Sequence, residues 1–202
     1  MTSRAEQPRA RTGLRAQRKA RTRQAIQEQA LRLFLAKGYS ATTVEEIAAA
    51  AGVSHMTFFR YFASKEAVVD TDDYDPLLAD LIRQRPEEED PLTAVRRAVL
   101  AGLSAVYATD RDAILVRTRL IRTTPALRAR QWQNLEATQS LLAEAIASRR
   151  NIEVTLEIRV LAAAAVAALN TAISHWADHD GDDDLGTLIE GAFEVLARLS
   201  AS

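Results

Sequence analysis

The sequence predicts an all-α chain of about nine helices, with a small N-terminal helix-turn-helix unit ahead of a larger helical body. Three observations carry this. Apolar residues recur at helical spacing, as in Ile26, Ala30, Leu33 and Phe34, and no strand-like alternation stands out. Glycine and proline are few, seven and five in 202 residues, and many of them fall at points that read as helix ends. Residues 43–65, TVEEIAAAAGVSHMTFFRYFASK, have the spacing of two short helices joined by a tight turn and followed by a capped third.

The first helix stops at Lys37-Gly38, a cation in the last turn followed by a glycine cap. Thr43 with Glu46 three residues on is a capping box that opens the next helix. Ile47, Ala51, Val53 and Phe58 fall where two helices must pack, and the small Ala48 lets them approach. Gly52 takes the left-handed turn between them. Ser64 caps the helix that begins at Lys65.

The body continues with a fourth helix over 65–84. Asp75-Pro76 strains it, because proline lacks a backbone donor and clashes with the preceding turn, so a bend or break is expected near Tyr74. Arg85-Pro86 and three glutamates form a connector. Asp90-Pro91 starts helix five with a cap and an N1 proline, and its apolar face is Leu92, Val95, Val99, Leu103 and Val106. Asp110 is read as the cap of helix six, running to about Thr123, and Thr124-Pro125 opens helix seven, ending near Ser148. Helix eight is expected over 154–177 and helix nine over 185–199. Between 160 and 173 helix eight has no charge and is rich in alanine, so it must be buried on all sides, one side in its own domain and the other on a partner chain. Helix nine is amphipathic through Leu188, Ile189, Phe193, Val195, Leu196 and Leu199.

Charge divides the chain as the helices do. Residues 1–65 hold 12 basic against 4 acidic side chains, a balance of +8, whereas residues 66–202 hold 14 against 23, or −9. A basic head is the electrostatic footprint of phosphate binding, and an acidic body helps orient that head towards nucleic acid. The first 23 residues carry seven arginines and Lys19 against Glu6 alone, an arm suited to phosphates or to a minor groove. No apolar stretch follows these charges, so they do not make a signal peptide. The absence of cysteine excludes thiolate sites and disulfides and fits a reducing, cytoplasmic setting. The longest uninterrupted apolar run, 160–169, is about half of what spans a bilayer, so no membrane partner is expected.

Residues 22–69, TRQAIQEQALRLFLAKGYSATTVEEIAAAAGVSHMTFFRYFASKEAVV, resemble the DNA-binding domain of the TetR family of transcriptional regulators. The resemblance covers about a quarter of the chain. It implies a basic disordered arm over 1–14, a helix-turn-helix DNA-binding domain over 15–64, and a ligand-binding and dimerisation domain over 65–202. It implies double-stranded DNA with a palindromic operator as one partner, and a second copy of the chain, joined through helices eight and nine, as another. One short recognition helix reads few bases, and twofold symmetry doubles the site.

Carried over by position, His55, Met56 and Thr57 would face base edges, and Phe59 and Tyr61 would lie along the backbone. Thr43, Ser54 and Lys65 stand at helix starts, where side chain and amide both meet phosphates. Arg60 would reach a phosphate or form a surface ion pair. The family often has glycine where Met56 stands and tyrosine where Phe59 stands, so Met56 adds an apolar contact and Phe59 lacks a phosphate-bonding hydroxyl.

The resemblance also implies a small-molecule effector. Tyr107, Arg117, Arg122, Trp132 and Asn170 are the candidates to bind it, as polar residues on apolar helices. Arg111, Arg117, Arg119, Arg122, Arg128 and Arg130 cluster in an otherwise acidic body and suggest an anionic ligand with an apolar tail. TFFRYF and RLIRTTPALRA are similar to an actinobacterial branch regarded as binding acyl-CoA-like ligands, with a multidrug-type lipophile as the runner-up. The alternative function is a DNA-binding protein without effector, constitutive or architectural.

His175, Asp178 and His179 share a helix face at metal-ligand spacing, but the favoured reading is the polar end of helix eight running into an Asp-rich loop, with no metal. No catalytic residues and no cofactor are expected. No nucleophile–base order, phosphate-cradling glycine loop or close carboxylate pair stands out.

Overall fold

The computed structural model describes residues 7–70 and 74–200. The chain forms two compact units, Met1–Thr71 and Asp72–Ser202. The described residues form helices joined by short loops and turns, without strands.

The first unit holds α1 (Gln7–Lys37), α2 (Val44–Ala50), α3 (His55–Tyr61) and α4 (Lys65–Asp70). Residues 7–14 of the basic arm belong to the backbone of α1, where alanine, arginine and glutamine favour the helix; residues 1–6 lie outside the described residues. Gly38 at φ 89° ends α1, its amide donating to the Phe34 carbonyl at 2.9 Å. Helices α2 and α4 pack on α1, and α3 on α2, around Ile26, Ala30, Phe34, Ile47, Ala48, Phe58, Phe62 and Val68, all buried. Phe58 and Phe62 lie 5.9 Å apart, ring to ring, at the centre of this core.

The second unit holds α5 (Tyr74–Arg83), α6 (Pro91–Thr123), α7 (Pro125–Arg149), α8 (Leu156–Asp178) and α9 (Leu185–Ser200). The expected break before Asp75-Pro76 is present: α4 ends at Asp70 and α5 starts at Tyr74, which leaves Pro76 in a first turn where its missing donor costs nothing. One expectation fails. Helices five and six are a single helix, α6, 33 residues long. Asp110 is no cap; it sits within the helix and accepts a hydrogen bond from the Tyr74 hydroxyl at 2.6 Å. An aspartate signals a helix start only where the chain must turn, and here nothing breaks the helix. Asp90 does cap α6, accepting from the Thr93 amide at 2.9 Å. The Val106 side chain, assigned to the apolar face of helix five, lies outside what the structure describes.

Helix α8 is the central element, packed on α6, α7 and α9. Ala162, Ala165, Val166, Ala172 and Trp176 enter the core, while Leu156 and Val160 stay exposed. By length and composition alone α8 would suit a membrane span, with mean hydropathy 1.6 over its most apolar 18-residue stretch. Its buried face is instead the floor of a helical core that includes Ile82, Val95, Leu142, Ile146, Leu185, Ile189 and Phe193.

Candidate nucleic-acid interface and ligand cavity

Local chemistry sets the first unit's helix-turn-helix. Thr43 and Glu46 form the reciprocal capping box: the Glu46 amide donates to Thr43 Oγ1 at 3.2 Å, and the Thr43 amide donates to Glu46 Oε2 at 2.8 Å. Lys37 bonds the same carboxylate, and with the Thr43 amide it holds the Glu46 pKa down at about 2. Gly52 takes φ 66°, which lets the Val53 amide reach back to the Ala48 carbonyl at 2.9 Å and close α2. Ser54 caps α3, accepting from the Thr57 amide at 3.1 Å, and its hydroxyl lies 2.9 Å from Thr57 Oγ1.

Helix α3 thus buries Phe58 and turns its other side to solvent. Met56 is 82% exposed and Phe59 44%, large values for apolar side chains. His55 stands at the same exposed start, with Nε2 3.2 Å from Glu45 and its ring edge-on to Phe59 at 4.8 Å. The Arg60 guanidinium lies over the Tyr61 ring at 5.7 Å. Thr43, Ser54, His55, Met56, Phe59 and Arg60 are therefore exposed together, with Thr57 and Tyr61 partly so.

Lys65 is placed differently from a phosphate ligand. Its ammonium donates to the carbonyls of Tyr39 and Thr42, both at 2.9 Å, and lies 4.2 Å from the Tyr39 ring centroid. The side chain ties the start of α4 to the loop before α2. Beside it, burial works to raise the Glu66 pKa, but hydrogen bonds from Tyr39, its own amide and Ser64 outweigh this and lower it. Sequence reasoning missed this staple because its partners are backbone atoms, which no residue pattern displays.

The second unit contains a cavity of about 240 Å³. Its wall is mostly apolar, from Leu78, Val99, Ile121, Leu169 and others, with Arg117 and Asn170 among the polar lining residues. The other three sequence candidates lie elsewhere. Tyr107 packs on Trp176, ring centroids 6.0 Å apart, and its hydroxyl is the main cause of a raised pKa at Arg111. Arg122 pairs with Asp178 through both carboxylate oxygens, at 2.8 and 2.9 Å. Trp132 is 72% exposed on the surface of α7. The arginine cluster does not converge on an anion either: Arg111 donates to the Gly181 carbonyl at 2.6 Å and Arg119 pairs with Asp180. Two of the six arginines thus clasp the loop between α8 and α9, and Arg122 holds the end of α8 before it.

The cavity also takes Tyr74, Asp75, Thr118 and Gln131, none of them named as a ligand candidate from the sequence. Asp75 accepts from the Thr138 hydroxyl at 2.6 Å, and the Arg117 guanidinium lies 6.0 Å from the Tyr74 ring centroid. Tyr74 and Asp75 sit at the predicted helix break, the one signal that marked their position.

Comparison with known proteins agrees with this architecture. Residues 26–71 match the family model for bacterial regulatory proteins of the tetR family, and residues 89–200 match that for the MftR C-terminal domain. The chain is 37% identical over 154 residues to the helix-turn-helix transcriptional regulator TcmR of Streptomyces glaucescens, covering 73% of this chain and 68% of that one. It is 29% identical over 183 residues to a Mycobacterium tuberculosis protein, MftR, whose name assigns it to transcriptional regulation of mycofactocin biosynthesis, covering 89% and 91%. Among solved structures, the TetR-family repressor FadR of Thermus thermophilus, in complex with lauroyl-CoA, aligns at TM-score 0.56 and 27% identity over 87% of this chain and 93% of that one.

The family models and the relatives define a helix-turn-helix transcriptional regulator rather than an enzyme. The chain belongs to the TetR family.

Proposed function

We propose that this regulator is a cytoplasmic, dimeric repressor that binds a palindromic operator through α3 and is released by a small lipophilic effector with an anionic head. The observation that carries the effector reading is the cavity: a partly open, mostly apolar cleft with Asp75, Arg117 and Asn170 among its polar lining residues. An apolar cleft with a few convergent polar groups is the usual form of a small-molecule site. About 240 Å³ lies below the roughly 300–1,000 Å³ of drug-sized sites, so an acyl chain or similar apolar segment fits inside and a bulky polar head stays outside. Lauroyl-CoA in the related FadR is a ligand of that shape.

In this reading His55, Met56 and Thr57 approach base edges from the start of α3. Ser54, Thr43, Phe59, Arg60 and Tyr61 flank them against the backbone, and Lys65 contributes through the end of α4 it holds in place. Leu156 and Val160 on α8, with Val195 and Leu199 on α9, are exposed apolar residues on two helices that pack together, which supports a dimer surface there.

The test is fluorescence anisotropy of a labelled duplex that the protein binds, titrated with lauroyl-CoA. Release with a roughly 5–150-fold loss of DNA affinity, blunted in Arg117→Ala, is expected. DNA affinity unmoved by lauroyl-CoA and by a panel of lipophilic compounds would favour the effectorless reading.

A further inference from the structure

We propose that the end of α8 and the loop that follows form a binding site for a divalent transition-metal ion of the zinc type, with His175, His179 and Asp183 as ligands. One ligand atom from each of these three residues lies within 4.8 Å of the other two. The set differs from the one the helical spacing suggests. Asp178 shares the face with the two histidines but turns away to Arg122, and Asp180 turns to Arg119. The loop brings Asp183 back in their place.

Three features prepare this site. The first is the tautomer of His179. Its Nδ1 lies 2.8 Å from the His175 carbonyl, an atom that only accepts, so Nδ1 carries the proton and Nε2 keeps the lone pair that a metal takes. A backbone carbonyl on the far ring nitrogen is a usual way to orient a metal-binding imidazole.

The second is the anchoring of the loop. Asp180 and Gly181 both adopt positive φ, 57° and 75°, and reverse the chain. The buried Trp176 indole donates to the carbonyls of Gly181 and Asp183, each at 3.1 Å, and Arg111 donates to Gly181 from α6. A Cβ at Gly181 would meet Trp176 at 3.1 Å, so the turn is packed as well as bonded. Asp183 therefore hangs from a backbone held at its own carbonyl and at Gly181. Ligand atoms on a tetrahedral ion are roughly 3.4 Å apart for bonds of about 2.0–2.1 Å, a short movement for three exposed groups.

The third is the field. The site lies at the C-terminal end of a 23-residue helix, where the helix dipole favours a cation, beside a loop with further aspartates. Two imidazoles and one carboxylate suit zinc, nickel or cobalt over calcium or magnesium, which prefer oxygen donors alone, and leave a position open to water.

The chain makes the test clean. It has no cysteine, and its remaining histidine, His55, is in the other unit. Zn²⁺ would be titrated by calorimetry into the full chain and into His179→Ala, Asp183→Asn and Asp178→Asn, with each metal-free variant's melting temperature measured. Co²⁺ absorption would report the coordination. One ion per chain is expected, with a Zn²⁺-dependent rise in melting temperature. Loss of affinity should be about 100-fold in His179→Ala and about 10-fold in Asp183→Asn, with no change in Asp178→Asn. Failure of Zn²⁺ to bind the wild-type chain would overturn the proposal. So would Asp183→Asn binding like wild type, which would reduce the site to a surface histidine pair.

Discussion

The DNA-binding unit and the body are both helical, yet they are held by contacts of different range. In the first unit the decisive polar contacts lie close in sequence: Thr43 with Glu46 and Ser54 with Thr57, three residues apart. The body has caps of the same kind, but the polar contacts that join its helices span the chain: Arg122 to Asp178, 56 residues apart, Arg111 to Gly181, 70, and Arg149 to the Glu89 carbonyl, 60. Local contacts of the first kind write themselves into spacing. Contacts of the second kind join residues that no window along the sequence sees together.

If the two units are separately stabilised, a core truncation in one should spare the other. Phe58→Ala and Trp176→Ala each remove a fully buried ring and should each cost about 3–5 kcal/mol. Phe58→Ala should abolish DNA binding while leaving the body's unfolding transition and the oligomeric state in place. Trp176→Ala, which also loses two indole hydrogen bonds, should lower the body's transition. Denaturation followed separately in each unit checks this, and equal shifts of both transitions in either variant would break the division.

Lys65 sharpens the comparison, because it makes a long-range contact inside the first unit. Lys65→Ala strands the Tyr39 and Thr42 carbonyls and should destabilise the first unit by about 1–3 kcal/mol. Its effect on DNA affinity should track that loss of stability and be largely restored at lower temperature. A direct phosphate contact would instead lower the salt dependence of binding by about one counterion at every temperature.

The smallest effects come from acid. Glu46 in the first unit, hydrogen-bonded by Lys37, and Glu89 in the body, by Arg85 and Arg97, both have pKa values lowered to about 2 from an ordinary 4.5. Each folded-state value lies below the unfolded one, so the stabilisation is present above about pH 4.5 and is lost as pH falls towards 2. Glu46→Gln should flatten this dependence for the first unit alone, and Glu89→Gln for the body alone, in unfolding curves collected across that range.

The same difference of range explains what the sequence made legible. Gly38, Thr43, Gly52, Ser54 and Asp90 each ended or began a helix where expected, because a cap satisfies backbone groups within one turn. The break before Pro76 was legible for the same reason. Asp110 misled because it has a capping residue's chemistry and a distant partner, Tyr74. The polar residues of helices six to eight were visible as a set. Which of them would line the cavity, as Arg117 and Asn170 do, and which would hold a helix end, as Arg122 does, depended on how α6 meets the end of α8. Trp132 looked like a pocket aromatic by type and lies on the surface. The Lys65 staple was invisible because carbonyls have no residue signature.

An exposed α3, doubled by a dimeric body, is proposed to read a defined DNA sequence. Selection of bound duplexes from a random pool, read by sequencing, tests this most directly. The expected result is an enriched palindrome with half-sites about one helical turn, or a multiple of it, apart. Enrichment of no sequence, with binding that merely falls away as salt rises, would contradict it and leave only phosphate contact by a basic head.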